Sequence, residues 1–512
     1  MIGWLRPQER VEERELERGL RALTIDGACS QVMGALTGGA FLVSFALLLG
    51  APNVVIGILA AVGPLTQLLQ LPATVLVERT RARKALVVLA AAASRLFWLP
   101  VIALPWLVPE EDRVTVLVTC LVLYFGLGTI SGCAWTSWVR DLVPERVMGS
   151  YFGRRMAIAT AVGAAVTLLG AFVIEHGEEA LGRSRLELHA LLVGVGAAAG
   201  FLGITFLARI PEPRMAPADH PSLLALLSEP LRDRSYRQVL WFLGAWGFAT
   251  QLAAPFFAVY MLRRLEMELS WVLGLSVLSQ VVNVVSLRVW GRLGDRFGDK
   301  PVLGVAGPLL VVSTILWPFT TMPERWWLTL PLIVVIHVLA GMSTAGVVLC
   351  AGNLALKAAP QGKATAYLAT NAVVGGLAAT LAPLLGGVLA DRLAGQELVL
   401  ALRWAEATSG AVQLELPAFN LRGLDFIFVA SFVLGVYALH LRAAIREEGE
   451  RERESHVVEE LYAEVRKAVR HVSNVAGVRQ LYSFPFARLI AGQPSRGPAA
   501  TPTFTRPDDD AP

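Results

Sequence analysis

Asp26 and Arg95 each lie inside a long apolar stretch of this 512-residue chain. Ionisable side chains at that depth are costly and serve a purpose by default. A buried carboxyl can carry a proton, because loss of water favours its neutral form, and a buried guanidinium can hold an anion. Either residue could instead complete an ion pair or a packing network, and both readings stay open. A second group comprises Gln31, Gln67, Tyr124, Trp246, Gln251, Gln280, Asn283, His337 and Asn371, spread over several apolar stretches. Amides, an imidazole and aromatic rings suit a polar organic or amphipathic solute better than an inorganic ion. Singly, each serves equally well as an interhelical hydrogen bond. A third group is the run from Gly291 to Lys300, in which Gly291 and Gly298 flank Asp295 and Arg296. Its glycines let helix ends approach closely, and its charges can form pairs that break and re-form. A worn copy, with Glu78, Arg79, Arg83 and Lys84, lies far upstream. Hydrolytic motifs of the HExxH or GxSxG kind are absent, so no enzyme is expected. Cys29, Cys120, Cys133 and Cys350 fit no metal spacing, and neither metal nor cofactor is expected.

The elements that must position these residues are membrane helices. Hydrophobic residues make up 55% of the chain and charged ones 17%, against about 25% charged in soluble domains. Mean hydropathy is +0.56. The apolar residues fall into runs long enough to cross a bilayer, where only a helix satisfies the backbone. We read about twelve spans, at 22–49, 53–76, 85–108, 114–137, 156–175, 187–208, 238–262, 270–290, 302–320, 328–350, 365–390 and 424–443. The expected fold is thus an all-α membrane protein of two pseudo-symmetric six-helix bundles, 22–208 and 238–443, joined by a proline-rich connector, 209–237. An amphipathic segment, 1–21, precedes them; an amphipathic tail, 444–491, follows, and 492–512 is expected to be disordered. Lys and Arg gather on alternate turns, which predicts both termini on the cytoplasmic side. The net charge of +4 is not focused on one face, so nucleic acid is not an expected partner. The bilayer is, with the protein as a monomer.

The halves repeat. Pro144, Tyr151, Gly170 and Glu175 match Pro360, Tyr367, Gly386 and Asp391 at one common offset. Such repeats mark transporters whose halves rock around a mid-membrane site. The sequence Gly-Arg-Leu-Gly-Asp-Arg-Phe-Gly-Asp-Lys at 291–300 resembles the signature loop of the major facilitator superfamily, between the second and third helices of each half. The resemblance covers about 20–445 and extends to uncharacterised bacterial members, which implies the bacterial cytoplasmic membrane. It implies a secondary transporter moving a small organic solute by alternating access, with H+ as the candidate coupling ion. A non-transporting sensor or scaffold on the same bundle is the alternative. Two departures argue against an ordinary drug/proton antiporter: span four lacks the arginine common in proton-coupled members, and span five lacks the Gly-Pro-x-x-Gly-Gly pattern. The loop implies a latch on the cytoplasmic side. In it Asp295 meets the start of span five, Arg296 pairs with Asp141, and Glu78 acts near the start of span eleven.

Overall fold

Long apolar runs leave the backbone no stable form in hydrocarbon but the helix, and the computed structural model is built that way. It describes residues 7–9, 11–214, 223–321, 324–360, 364–405, 412–445 and 455–463. The chain divides into two compact units, Met1–Val457 and Val458–Pro512; of the second, residues 458–463 are described and helical. The expected tail beyond 463 and the terminus 492–512 lie outside the described residues, as does 215–222 of the connector.

The first half comprises α1 (Glu13–Thr37), α2 (Gly39–Leu48), α3 (Asn53–Thr66), α4 (Gln70–Thr80), α5 (Arg83–Leu96), α6 (Trp98–Leu107), α7 (Glu110–Leu142), α8 (Glu145–Leu181) and α9 (Arg185–Leu207). After α10 (Leu223–Arg232) in the connector come α11 (Arg234–Ala253), α12 (Phe256–Val259), α13 (Leu269–Phe297), α14 (Asp299–Ile315), α15 (Thr329–Lys357) and α16 (Ala364–Leu393). A hairpin of β1 (Glu397–Ala405) and β2 (Val412–Arg422) follows, then α17 (Asp425–Ala443). Among the described residues ten helices are long and apolar enough to cross a membrane, and an eleventh joins α3 to α4 through a 46° bend. The seventeen-residue α14 supplies the remaining rod. Spans overrun their expected limits at most ends. The first begins at Glu13 rather than 22, so residues 13–21 of the N-terminal amphipathic segment are the first turns of α1.

Two features depart from the sequence reading. The run 291–300 is helical except at Gly298, which alone separates α13 from α14 at φ +96°. Only glycine adopts that backbone freely. The corresponding joint in the first half turns at Arg81, with φ +46°. The chain after Asp391 is an antiparallel β-ribbon rather than a simple turn, registered from Glu397↔Arg422 to Ala405↔Val412. The Glu397 carboxylate fastens its base, accepting from Arg422 Nε and Asn420 Nδ2, each at 2.7 Å. The Arg422 and Asn420 hydrogen bonds hold that carboxyl below its usual range.

These elements define two ends. The α4/α5, α7/α8 and α13/α14 joints are rich in arginine and form the basic end; the ribbon marks the hairpin end. Within the halves α1 packs on α8 and α9, α5 on α7, α11 on α16 and α17, and α13 on α15. Between the halves α3 packs on α16 and α8 on α13. One apolar cluster takes Phe41, Phe45 and Ile174 from the first half and Phe256, Tyr260 and Val272 from the second. The clusters nearer the basic end belong to one half each: Ala22, Leu23, Val77 and Trp138 in one, Tyr236, Leu240 and Tyr367 in the other. The hydrophobic seam between the halves is therefore concentrated toward the hairpin end.

Candidate functional site

A cavity of about 1000 Å³ lies between the halves, with walls from α1, α2, α3, α7, α11, α13 and α15 among others. Its floor includes a broken helix. The first span stops at Thr37, passes through an extended Gly38, and resumes at Gly39 with φ +53°. Two adjacent glycines make that break possible. Of the nine polar and aromatic candidates, Tyr124, Trp246, Gln251 and His337 line the cavity. His337 Nδ1 lies 2.8 Å from the Ile333 carbonyl and donates to it, so the neutral ring has Nε2 as its acceptor.

The other five candidates lie elsewhere. Gln31 packs beside Gly163 on α8. Gln67 is exposed and accepts from Gln70 Nε2. Asn283 donates to the Gly341 carbonyl at 3.2 Å and ties α13 to α15. Gln280 is exposed and Asn371 half-buried, both outside the cavity wall. Sequence reasoning missed Thr37, Trp98, Thr250, Phe257, Ser276, Ser279 and Trp317, all on the wall. Their rings and hydroxyls are common in any membrane helix, so composition gave no signal.

At the hairpin end Gly57 and Gly387 let α3 and α16 touch backbone to backbone. A Cβ on Gly57 would stand 2.3 Å from the Pro383 carbonyl oxygen, and one on Gly387 2.7 Å from that of Asn53. Asp391 then caps a helix of the opposite half. Its Oδ1 accepts from Asn53 N–H at 2.9 Å and its Oδ2 from Val54 N–H at 2.8 Å. The N-cap residue of α3, Pro52, provides no side-chain cap, and a carboxylate complements the positive helix end. Arg263 of the second half donates to the Ala51 carbonyl at 3.0 Å. Hydrogen bonds to a charged group contribute about 1.5–3 kcal/mol each. Asp391, which the sequence marked only as a repeated acid, is therefore a cross-half latch. Its repeat partner Glu175 is exposed.

The charged loop at the basic end does different work. Asp141, expected to pair with Arg296, is bound by Arg83 Nη1 at 2.5 Å. Arg296 lies over its neighbour Phe297, 4.9 Å from the ring centroid. In this structure Arg83, in the same bundle as Asp141, holds its carboxylate. Asp295 is exposed in the last turn of α13; the side chains of 145–150, where it was expected to dock, lie outside the described residues. Glu78 and Arg79 lie in the last turns of α4, and Gly291 lies within α13 against Leu349.

Arg83 is fully buried. Its guanidinium donates to the Ser137 carbonyl at 3.1 Å and the Pro213 carbonyl at 2.8 Å, and its Nε lies 3.5 Å from Glu212 Oε1. Glu212 in turn accepts from Arg83 N–H at 2.7 Å and so caps α5. Burial pushes the Glu212 carboxyl up, against the opposing pull of the Lys84 and Arg83 N–H groups and the guanidinium. In the second half Asp299 occupies the matching place. It accepts from Asn353 Nδ2 at 3.0 Å and is bound by Lys357. Residues 83 and 299, 137 and 353, and 141 and 357 all differ by 216. The repeat thus keeps the pair and exchanges its signs: Arg83–Asp141 in one half, Asp299–Lys357 in the other. Lys300 is buried and binds the Ile445 carbonyl at the end of α17. It holds its own bundle together.

Asp26 and Arg95 lie behind the cavity wall, where α1, α5 and α9 meet. Asp26 is 5% exposed, and its Oδ1 lacks a hydrogen-bond partner. Arg95 donates to the Gly200 carbonyl at 2.5 Å and approaches Ser30 Oγ at 3.5 Å.

A two-half helical bundle, repeated in sequence and in half-buried ion pairs around a central cavity, defines a class of polytopic membrane transporter. The model of the Major Facilitator Superfamily matches residues 27–383, and the chain belongs to that family. No curated protein matches. Among solved structures, the nucleoside transporter NupG is 13% identical with a TM-score of 0.59, over 84% of this chain and 98% of that one. A bacterial homologue of the iron transporter ferroportin, inward-facing, is 12% identical with a TM-score of 0.60, over 85% and 99%. A bacterial homologue of the human lysosomal transporter Spinster, inward-facing and unoccupied, is 14% identical with a TM-score of 0.58, over 84% and 97%. These likenesses establish the fold.

Proposed function

We propose that this protein is a secondary transporter that moves a small organic solute by alternating access, with its basic end and both termini cytoplasmic. The observation that carries the reading is the cavity between two halves whose cross-half seal is concentrated at one end. With that sidedness, a state closed at the hairpin end is inward-facing. A rocking machine needs a seam it can break, and glycine contacts with two capping hydrogen bonds provide one. Counterflow in proteoliposomes tests the reading. The likeness to a nucleoside transporter makes uridine the first solute to load. Accelerated entry of labelled solute into preloaded vesicles supports transport; binding of a solute in detergent without counterflow defeats it.

Proton coupling is assigned to Asp26. What supports it is a buried carboxylate with an unpartnered oxygen beside Arg95. It lies outside the cavity, so protonation would act through the packing of α1, α5 and α9. Asp26→Asn is expected to retain counterflow and lose accumulation driven by a pH gradient. Unchanged gradient-driven accumulation would remove the proton from the account.

A further inference from the structure

The cavity wall contains no Asp, Glu, Lys or Arg among its described residues. From this we infer that the site takes uncharged amphipathic molecules carrying a flat ring and an amide-like edge. The inference rests on the transport reading for the word substrate; the binding chemistry stands on the cavity alone. A cavity this size is at the upper end of small-molecule sites. A net charge entering it leaves water without a counter-ion, and an unpaired charge in such surroundings is costly. Arg95, outside the lining, lies near Tyr124 and engages Asp26 and the α9 backbone.

The wall matches such a ligand in two ways. Trp98, Tyr124, Trp246, Phe257 and Trp317 come from both halves, and ring faces of this kind stack on planar groups. Trp98 and Tyr124 already meet edge to face at 5.2 Å, and Phe257 stacks on Trp317 at 4.8 Å. The polar complement is sparse. Ser279 Oγ donates to the His337 carbonyl at 2.8 Å and keeps lone pairs free. The amide of Gln251 makes no hydrogen bond among the described residues, so it offers one donor and one acceptor side by side. His337 Nε2 adds an acceptor. A neutral amide, imide or pyrimidine edge satisfies that set without bringing a charge.

Binding to purified protein by equilibrium dialysis tests the assignment. The neutral probes are uridine and indole-3-acetamide; the charged counterparts are uridine monophosphate for the first, and indole-3-acetate and tryptamine for the second. At least one neutral probe is expected to bind below roughly 1 mM, and about tenfold or more tighter than its charged counterpart. Trp246→Ala is expected to weaken it, and Gln251→Glu, which places a carboxylate on the wall, to move preference toward tryptamine. The assignment is overturned if no neutral probe binds. It is equally overturned if a charged counterpart binds as tightly and loses that binding in Trp246→Ala. Counterflow in vesicles is read separately: bound neutral probe without flux sinks the transport reading and leaves this one standing.

Discussion

Replacing Gly57 by valine is expected to reduce counterflow to the level of empty vesicles while the protein still folds. The new Cβ would sit 2.3 Å from the Pro383 carbonyl oxygen. That neighbour is backbone in the opposite half and cannot swing aside like a flexible side chain. Relief comes from parting α3 and α16, which removes the state closed at the hairpin end. Alternating access needs that state as well as its opposite, so net movement stops. Gly387→Val meets Asn53 and Val54 from the other side and is expected to act alike. Thermal melts of the purified variants distinguish the outcomes. Lost flux with a near-normal melt agrees with a conformational trap. Normal flux would mean that the seam is not part of the cycle.

Arg83→Ala is expected to be among the most destabilising single changes in the first half, at about 3–5 kcal/mol. Removing one partner of a buried pair strands the other charge, and here Glu212, with 1% exposure, is the one stranded. The same guanidinium joins α5, α7 and the connector through Ser137, Asp141 and Pro213. Arg83→Lys is expected to restore little, because an ammonium cannot reproduce the fork that reaches those groups together. In the second half, Asp299→Lys combined with Lys357→Asp recreates the first half's polarity and is expected to melt closer to wild type than either single change. Melting curves in one detergent check both expectations. A melt of Arg83→Ala indistinguishable from wild type would show that the network contributes nothing to stability.

Much of the architecture is legible in the sequence. Twenty-residue apolar runs have one solution in a bilayer, and Pro144/Pro360 and Tyr151/Tyr367 announced the repeat. The site was less legible, for reasons of geometry. A residue's depth in a span follows from its number, but the face it shows depends on the rotation of the helix against its neighbours. Gln251 and Asn283 were equivalent in sequence. One faces the cavity and the other holds α13 to α15. The charged loop draws notice because its acids stand among bases, whereas the Arg83–Asp141 pair within one bundle needs the fold to bring it together. Asp391 passed as a repeat marker because a helix N-terminus in the other half is invisible to local sequence. The ribbon at 397–422 did leave a signal, since leucine or tryptophan occupies every second position from Leu398 to Trp404. Between two apolar spans that period of two is easily read as one more turn.

On the transport reading, the two halves rock about the cavity and Asp391 biases them toward closure at the hairpin end. Distances between spin labels, measured by double electron–electron resonance in a background without native cysteines, address it without a known solute. One label pair, Glu111→Cys with Trp327→Cys, reports on the hairpin end. The other, Arg140→Cys with Leu356→Cys, reports on the basic end; all four positions are exposed. Coupling between such states is typically about 1–3 kcal/mol, so losing the two capping hydrogen bonds is enough to move populations. In Asp391→Ala the first distance is predicted to gain a longer population while the second gains a shorter one. Distances that stay fixed at both ends, or lengthen at both together, would contradict the account.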